Sequence, residues 1–112
     1  MRRVVVTGMG VISPVGNDLE SFWNNLTEGK NGVGMITRFD TTEQKVKVAA
    51  EVKDFEPTKY IEKSQVRKTD LFAQYALAAA VQAMEDAGLK SGENIDAERL
   101  GVYVGSGTGG IN

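Results

Sequence analysis

Two stretches of this chain repeat their apolar positions at helical spacing, and two short β-branched runs lie outside them. Leu19, Phe22, Trp23 and Leu26 fall at i, i+3, i+4 and i+7, which lines one face of a helix with apolar side chains. Asn17 suits its N-cap, Glu20 follows three residues later as in a capping box, and Gly29 closes it as a C′ glycine. The longer stretch predicts a helix over Thr69 to Ala87, with Thr69 as cap, Asp70 in the first turn, and Gly88 with Leu89 as a Schellman ending. Ala76, Ala79, Ala80, Ala83 and Ala87 make a stripe of small residues on it, suited to close approach by a sheet or another helix. Phe72, Leu77, Val81 and Met84 widen the apolar surface, leaving Gln74, Gln82, Glu85 and Asp86 as the polar strip. A helix this apolar is packed on more than one side.

The β-branched runs are Arg3 to Thr7 and Val102 to Gly105, and each ends in glycines. Both read as buried strands feeding turns. Between the helices, Asn31 to Phe55 is irregular: Asn31-Gly32 and Gly34 mark turns, and Val46, Val48 and Ala50 alternate with Lys45, Lys47 and Ala49 as on a half-exposed strand. Pro57 is placed to open a short helix, Thr58 to Glu62, and Lys90 to Glu98 is a polar loop. The order of elements fits an α/β layer, its two strands parallel and joined by a right-handed crossover. Two strands cannot cover such helices, so the chain reads as the opening of a larger domain.

Composition narrows the chemistry. The 112 residues are 41% hydrophobic and 25% charged, which is globular rather than disordered. A net charge of −2 gives no overall pull toward nucleic acid or membrane, and no apolar run is long enough to span a bilayer or act as a signal peptide. The expected location is the cytoplasm. There is no cysteine and no histidine, which excludes disulfides, a Cys/His metal site, a thiolate nucleophile and a Ser-His-Asp triad within these residues. No carboxylates have calcium-loop spacing, so no metal site is expected.

Gly105, Gly107 and Gly110 match G-x-G-x-x-G in form, and Gly8, Gly10 and Ser13 nearly do. Such a motif binds a dinucleotide only where a helix opens at once behind it. After Gly10, Pro14 and Gly16 delay the helix, and the nearest acid about 20 residues on, Glu28, sits on the helix rather than at a strand end. A small nucleotide-binding module and a non-catalytic structural piece therefore stand as alternatives to an enzyme, against the plainer reading that these glycines serve tight turns and close packing. Lys59, Lys63, Arg67 and Lys68 form a basic cluster before the long helix, either a solvated surface or a dock for an acidic partner. It lacks the aromatic residues a nucleic-acid surface would interleave.

Five segments together resemble a known family: Arg2-Arg3-Val-Val-Val-Thr-Gly-Met-Gly-Val-Ile-Ser-Pro-Val-Gly-Asn17, Ile36-Thr-Arg-Phe-Asp40, Val52-Lys-Asp-Phe55, Arg67-Lys-Thr-Asp-Leu-Phe-Ala-Gln-Tyr75 and Gly105-Ser-Gly-Thr-Gly-Gly110. In register over essentially the whole chain they are similar to the N-terminal portion of the elongating β-ketoacyl-[acyl-carrier-protein] synthases, the synthase II branch above all. The resemblance implies a thiolase-like αβαβα layered fold of two related halves, usually a homodimer. Residues 1–112 would be the N-terminal segment of the first half. It implies an acyltransferase that loads an acyl chain on a cysteine and condenses it with malonyl-carrier protein by decarboxylation, without a cofactor. The family's nucleophilic cysteine and two histidines lie beyond this segment, so no catalytic residue is assigned in it, and these residues alone would be inactive.

What carries over is binding. The loop Gly105 to Gly110 is similar to the family's acyl-pocket lining, which makes Gly107 and Thr108 candidate substrate contacts. Thr108 stands where synthase II proteins usually have isoleucine as a gate, so chain-length preference here is open. Arg67 and Lys68 match basic residues that meet the acyl carrier protein; Ser64 falls where another lysine is common, and the adjacent Lys63 stands in for it. The implied partners are acyl carrier protein, an acyl chain and a malonyl thioester, with no nucleic acid and no membrane. Isolated, the 112 residues are expected to be marginally stable, because the long helix would expose apolar surface.

Overall fold

The long helix is where the expected pattern holds best. In the computed structural model, which describes residues 1–110, α3 runs Leu71–Asp86. Its end is a full Schellman motif: Gly88 at φ 65° donates its N–H to the Glu85 carbonyl, and Leu89 N–H reaches the Met84 carbonyl. The first helix, α1, spans Leu19–Thr27 and closes the same way, with Gly29 at φ 70° and Lys30 N–H on the Asn25 carbonyl. Both endings follow from a residue type that takes positive φ without steric cost.

The N-caps differ from expectation by one residue each. Asp18, not Asn17, caps α1, its carboxylate accepting the Ser21 N–H at 2.8 Å. Asn17 is drawn elsewhere, its side-chain amide donating to the Lys53 carbonyl at 2.6 Å. Asp70, not Thr69, occupies the N-cap of α3, but its carboxylate makes no capping hydrogen bond, while the Thr69 hydroxyl donates back to the Gln65 carbonyl. Gln74 is also not part of a polar strip. It is 8% exposed, and its amide donates to the carbonyls of Val66 and Thr69, tying the preceding turn onto the helix. A buried amide is tolerated when it is hydrogen-bonded in this way.

The chain divides into two compact units, Met1–Gly10 with the residues from Glu56 onward, and Val11–Phe55. In the first, the stripe of alanines meets an irregular, glycine-bearing segment rather than a sheet or helix. A side chain at Gly8 would strike the backbone of Ala83 and Ala87, and one at Gly10 would strike the Ala79 carbonyl. The Met9 N–H donates to the Asp86 carboxylate at 2.9 Å. Close packing is thus what these glycines serve; helix backbone fills the space a phosphate would need. Pro57–Lys59 forms a 3-10 turn with proline at its first position, shorter than the helix expected over Thr58 to Glu62. A single helical turn, α2, follows at Lys63–Val66, where none was foreseen. Beyond α3, Asn94 organises the polar loop by accepting the Lys90 N–H and donating to the Gly88 carbonyl.

In the second unit, β1, Gly34–Met35, pairs antiparallel with β2, Val48–Ala49, in the register Gly34 to Ala49 and Met35 to Val48. The predicted alternation is out of phase: Ala49 is the partly covered residue, while Val46 and Val48 are exposed. Next to the pair, the Thr37 hydroxyl donates to Glu51 at 2.8 Å and the Thr37 N–H at 3.2 Å. The hydroxyl bond holds the Glu51 carboxyl below its ordinary pKa, partial burial opposes it, and the nearby backbone N–H groups and Arg38 assist.

The two expected parallel strands do not form. Neither Arg3 to Thr7 nor Val102 to Gly105 pairs with a strand among the described residues, and Val4 is 93% and Tyr103 97% exposed. A strand leaves its N–H and C=O groups unsatisfied without a neighbour, so β propensity alone does not make one. The core is correspondingly thin: Ala78 is the one buried apolar residue among those described.

Candidate functional site

The basic cluster acquires a geometry from its local structure. Lys63 opens α2, Ser64 follows it, Arg67 is the C-cap, and Lys68 closes the turn with its N–H on the Gln65 carbonyl. A single turn of helix puts residues three and four apart on one side. Lys63, Ser64, Arg67 and Lys68 accordingly line one shallow depression of about 440 Å3. A second, of about 530 Å3, shares Lys63 as a wall and is otherwise bounded by Thr58, Tyr60, Ile61 and Glu62. The Tyr60 hydroxyl accepts from the Gln82 amide on α3, which fixes this wall to the long helix. Lys59 of the cluster is drawn aside, within 3.4 Å of Glu56. Lys63, Arg67 and Lys68 stay exposed, three cations on one small surface.

The glycine-rich loop is held in two ways. The Ser106 hydroxyl accepts the Gly109 N–H at 3.0 Å, closing a local turn, and Gly109 takes φ 67° to permit it. Gly110 sits against the carboxylate of Asp70, where the first atoms an added side chain would meet are Oδ2, Cγ and Cβ of that residue. Gly107 and Thr108 lie exposed on the same loop. The structure therefore brings the loop to the N-terminal end of α3, two residues beyond Lys68. Gly110 of the loop thus abuts the N-cap residue of α3, two positions after the last cation of the basic cluster. Asp70 and Gln74 read in the sequence only as a first-turn acid and a member of the polar strip. An aspartate before a helix looks like any cap, and a glutamine at a helical position looks solvated. Among the described residues, no cluster of carboxylates, histidines or cysteines could hold a metal ion, and no helix is long and apolar enough to cross a membrane.

Comparison with known proteins gives these features a context. The family model for the β-ketoacyl synthase N-terminal domain matches residues 1–112. The 3-oxoacyl-[acyl-carrier-protein] synthase 2 of Vibrio harveyi is 51% identical over 111 residues, 99% of this chain and 26% of that protein. The Coxiella burnetii protein of the same name is 49% identical over 110 residues, 98% of this chain and again 26% of the relative. Among solved structures, the ishigamide ketosynthase/chain length factor superposes with a TM-score of 0.73 at 45% identity, covering 80% of this chain and 22% of that one. The chain spans about a quarter of the length of the curated relatives it matches.

Proposed function

We propose, from the premise that this chain belongs to the β-ketoacyl synthase family, that it serves a condensing enzyme of fatty acid elongation as scaffold, carrier dock and acyl-pocket loop. Its fold is the α/β, thiolase-like fold of that family, with helices and a small sheet in the described residues. The proposed reaction joins an acyl group, carried as an enzyme thioester, to the carbanion formed when a malonyl thioester loses carbon dioxide. The product is a 3-oxoacyl thioester on the carrier, and the enzyme thiol is released. With no cysteine and no histidine, these residues can hold substrates but cannot supply the thiol or the imidazoles.

The observation that carries the proposal is the shared position of the two candidate regions. Lys63, Arg67 and Lys68 surround one depression before α3, and the loop bearing Gly107 and Thr108 rests on Asp70 at the start of the same helix. A carrier protein with an acidic face would be steered by the cations and would present its acyl chain near the loop. The proposal extends to residues 1–112 as the N-terminal segment of the first of two thiolase-like halves, and to a cytoplasmic homodimer without a cofactor, acting away from nucleic acid and membrane. At Gly8 and Gly10 the nucleotide-binding alternative is disfavoured because helix backbone occupies their approach.

The test is a condensation assay on the full-length protein with acyl- and malonyl-carrier protein. The expected result is one carbon dioxide released for each 3-oxoacyl-carrier product. Absence of product, together with thermal stabilisation by a nicotinamide dinucleotide, would instead support the nucleotide reading.

A further inference from the structure

Two neighbouring glycines of the loop are there for different reasons. Gly109 sits at φ 67° with nothing within 4 Å of where a side chain would go, so its backbone conformation is what requires glycine. Gly110 is not in the left-handed region, so its φ does not call for glycine. What excludes a side chain at Gly110 is Asp70, whose carboxylate and Cβ occupy that space. Asp70, in turn, stands at an N-cap without making the hydrogen bond that an aspartate usually makes there. Its counterpart Asp18 does make that bond. The Asp70 carboxylate is thus turned away from its own helix and toward the loop.

We propose that Asp70 is a positioning residue, which sets the glycine-rich loop at the start of α3 and through it the place of Thr108 at the acyl chain. The inference rests on the reading of that loop as an acyl-pocket wall. The chain path supports it. Between Ser106, which pins Gly109, and Gly110, which abuts Asp70, the loop has little freedom to shift Thr108 without breaking one of the two attachments. Asp70 also follows Lys68 by two residues, so the segment proposed to meet the carrier leads directly into the one that fixes the loop. Gln74 ties this linking turn down through the Val66 and Thr69 carbonyls.

The test uses the full-length protein and a series of acyl substrates of increasing chain length, reading kcat and KM separately. Asp70→Ala is expected to raise KM for the longest acyl substrates about tenfold while changing kcat for the shortest by less than about twofold. Asp70→Asn, which keeps the size and one oxygen, should restore the native profile. Gly110→Ala should reproduce the Asp70→Ala profile, and the double variant should be no worse than either single one, since both changes undo the same contact. Equal loss at every chain length with a lowered thermal midpoint would assign Asp70 a structural role only and overturn the proposal. Additive effects of the Gly110 and Asp70 changes would also overturn it. Thr108→Ile separates the two levels. If it shifts the chain-length profile and Asp70→Ala does not, positioning fails and the pocket reading stands. If Thr108→Ile shifts nothing, the pocket reading fails and the positioning proposal falls with it.

Discussion

α1 and α3 end alike and begin differently. Each closes on a left-handed glycine with a Schellman pair of hydrogen bonds, and each has an aspartate at its N-cap. Asp18 serves its own helix, accepting the Ser21 N–H three residues on. Asp70 leaves its helix uncapped by its side chain and lies against Gly110, 40 positions away in sequence. The surroundings of the two helices differ in the same sense. α1 sits in a unit of 45 contiguous residues, Val11–Phe55, held by bonds within that span, such as the Asn25 amide on the Val15 carbonyl and the Asn17 amide on the Lys53 carbonyl. α3 gathers segments from both ends of the described chain: Gly8 to Gly10 on its alanine stripe, Gly110 at its cap. A cap contributes to local stability where nothing else competes for the side chain; where a distant segment arrives, the same residue serves tertiary structure instead.

The strongest challenge to this contrast is at the glycine face of α3. Gly10→Ala forces a methyl against the Ala79 carbonyl, and neither backbone can give way easily. Destabilisation of about 1–3 kcal/mol is expected in denaturant unfolding of the full-length protein. Gly34→Ala, with nothing within 4 Å, should stay within about 0.5 kcal/mol. Equal midpoints for the two variants would mean that the N-terminal segment does not pack on α3. A smaller effect separates the caps themselves. Asp18→Ala should cost about 1 kcal/mol, because a capping bond is lost. Asp70→Ala should cost less than half of that in the same measurement, its main consequence lying in substrate profile. A matching loss at both positions would erase the difference drawn between them.

The smallest expected effect is a pH dependence in the α1 unit. Glu51 has its pKa lowered chiefly by the Thr37 hydroxyl. Its contribution to stability is therefore present above the pKa of an unfolded glutamate and is lost as pH falls through the lower, folded value. Thr37→Val should leave a small destabilisation at neutral pH that vanishes once Glu51 is protonated in the folded state. The Glu51 carboxyl resonance, followed by NMR titration, should move back toward the ordinary range in the variant. No movement would show that the hydroxyl bond is not what lowers it.

The helices were legible because their signals are local. Period, a polar residue at the start and a glycine at the end are all read within one segment, and the errors at Asn17 and Thr69 amount to one residue. The strands were not. Val4 to Val6 and Val102 to Val104 carry strand-like residues, but whether a ladder forms depends on a partner that the local sequence does not describe. Gln74 departs from its pattern for a related reason: its polarity says nothing about two carbonyls supplied by the preceding turn. In the candidate site, residue types indicated Lys63, Arg67 and Lys68, and the single turn α2 gathers them around one depression. The contact of Gly110 with Asp70, which brings the end of the glycine-rich loop to the start of α3, is one that no spacing rule anticipates.

The measurement closest to the central claim compares two acyl donors in the full-length protein after Arg67→Glu and Lys68→Glu are introduced together. If this surface docks an acidic carrier, turnover of the carrier-bound acyl substrate should fall by about tenfold or more, while the coenzyme A thioester is nearly unaffected. The carrier reaction of the unaltered protein should also weaken with added salt, and that of the variant much less. Equal losses for the two donors would contradict the docking role of Lys63, Arg67 and Lys68.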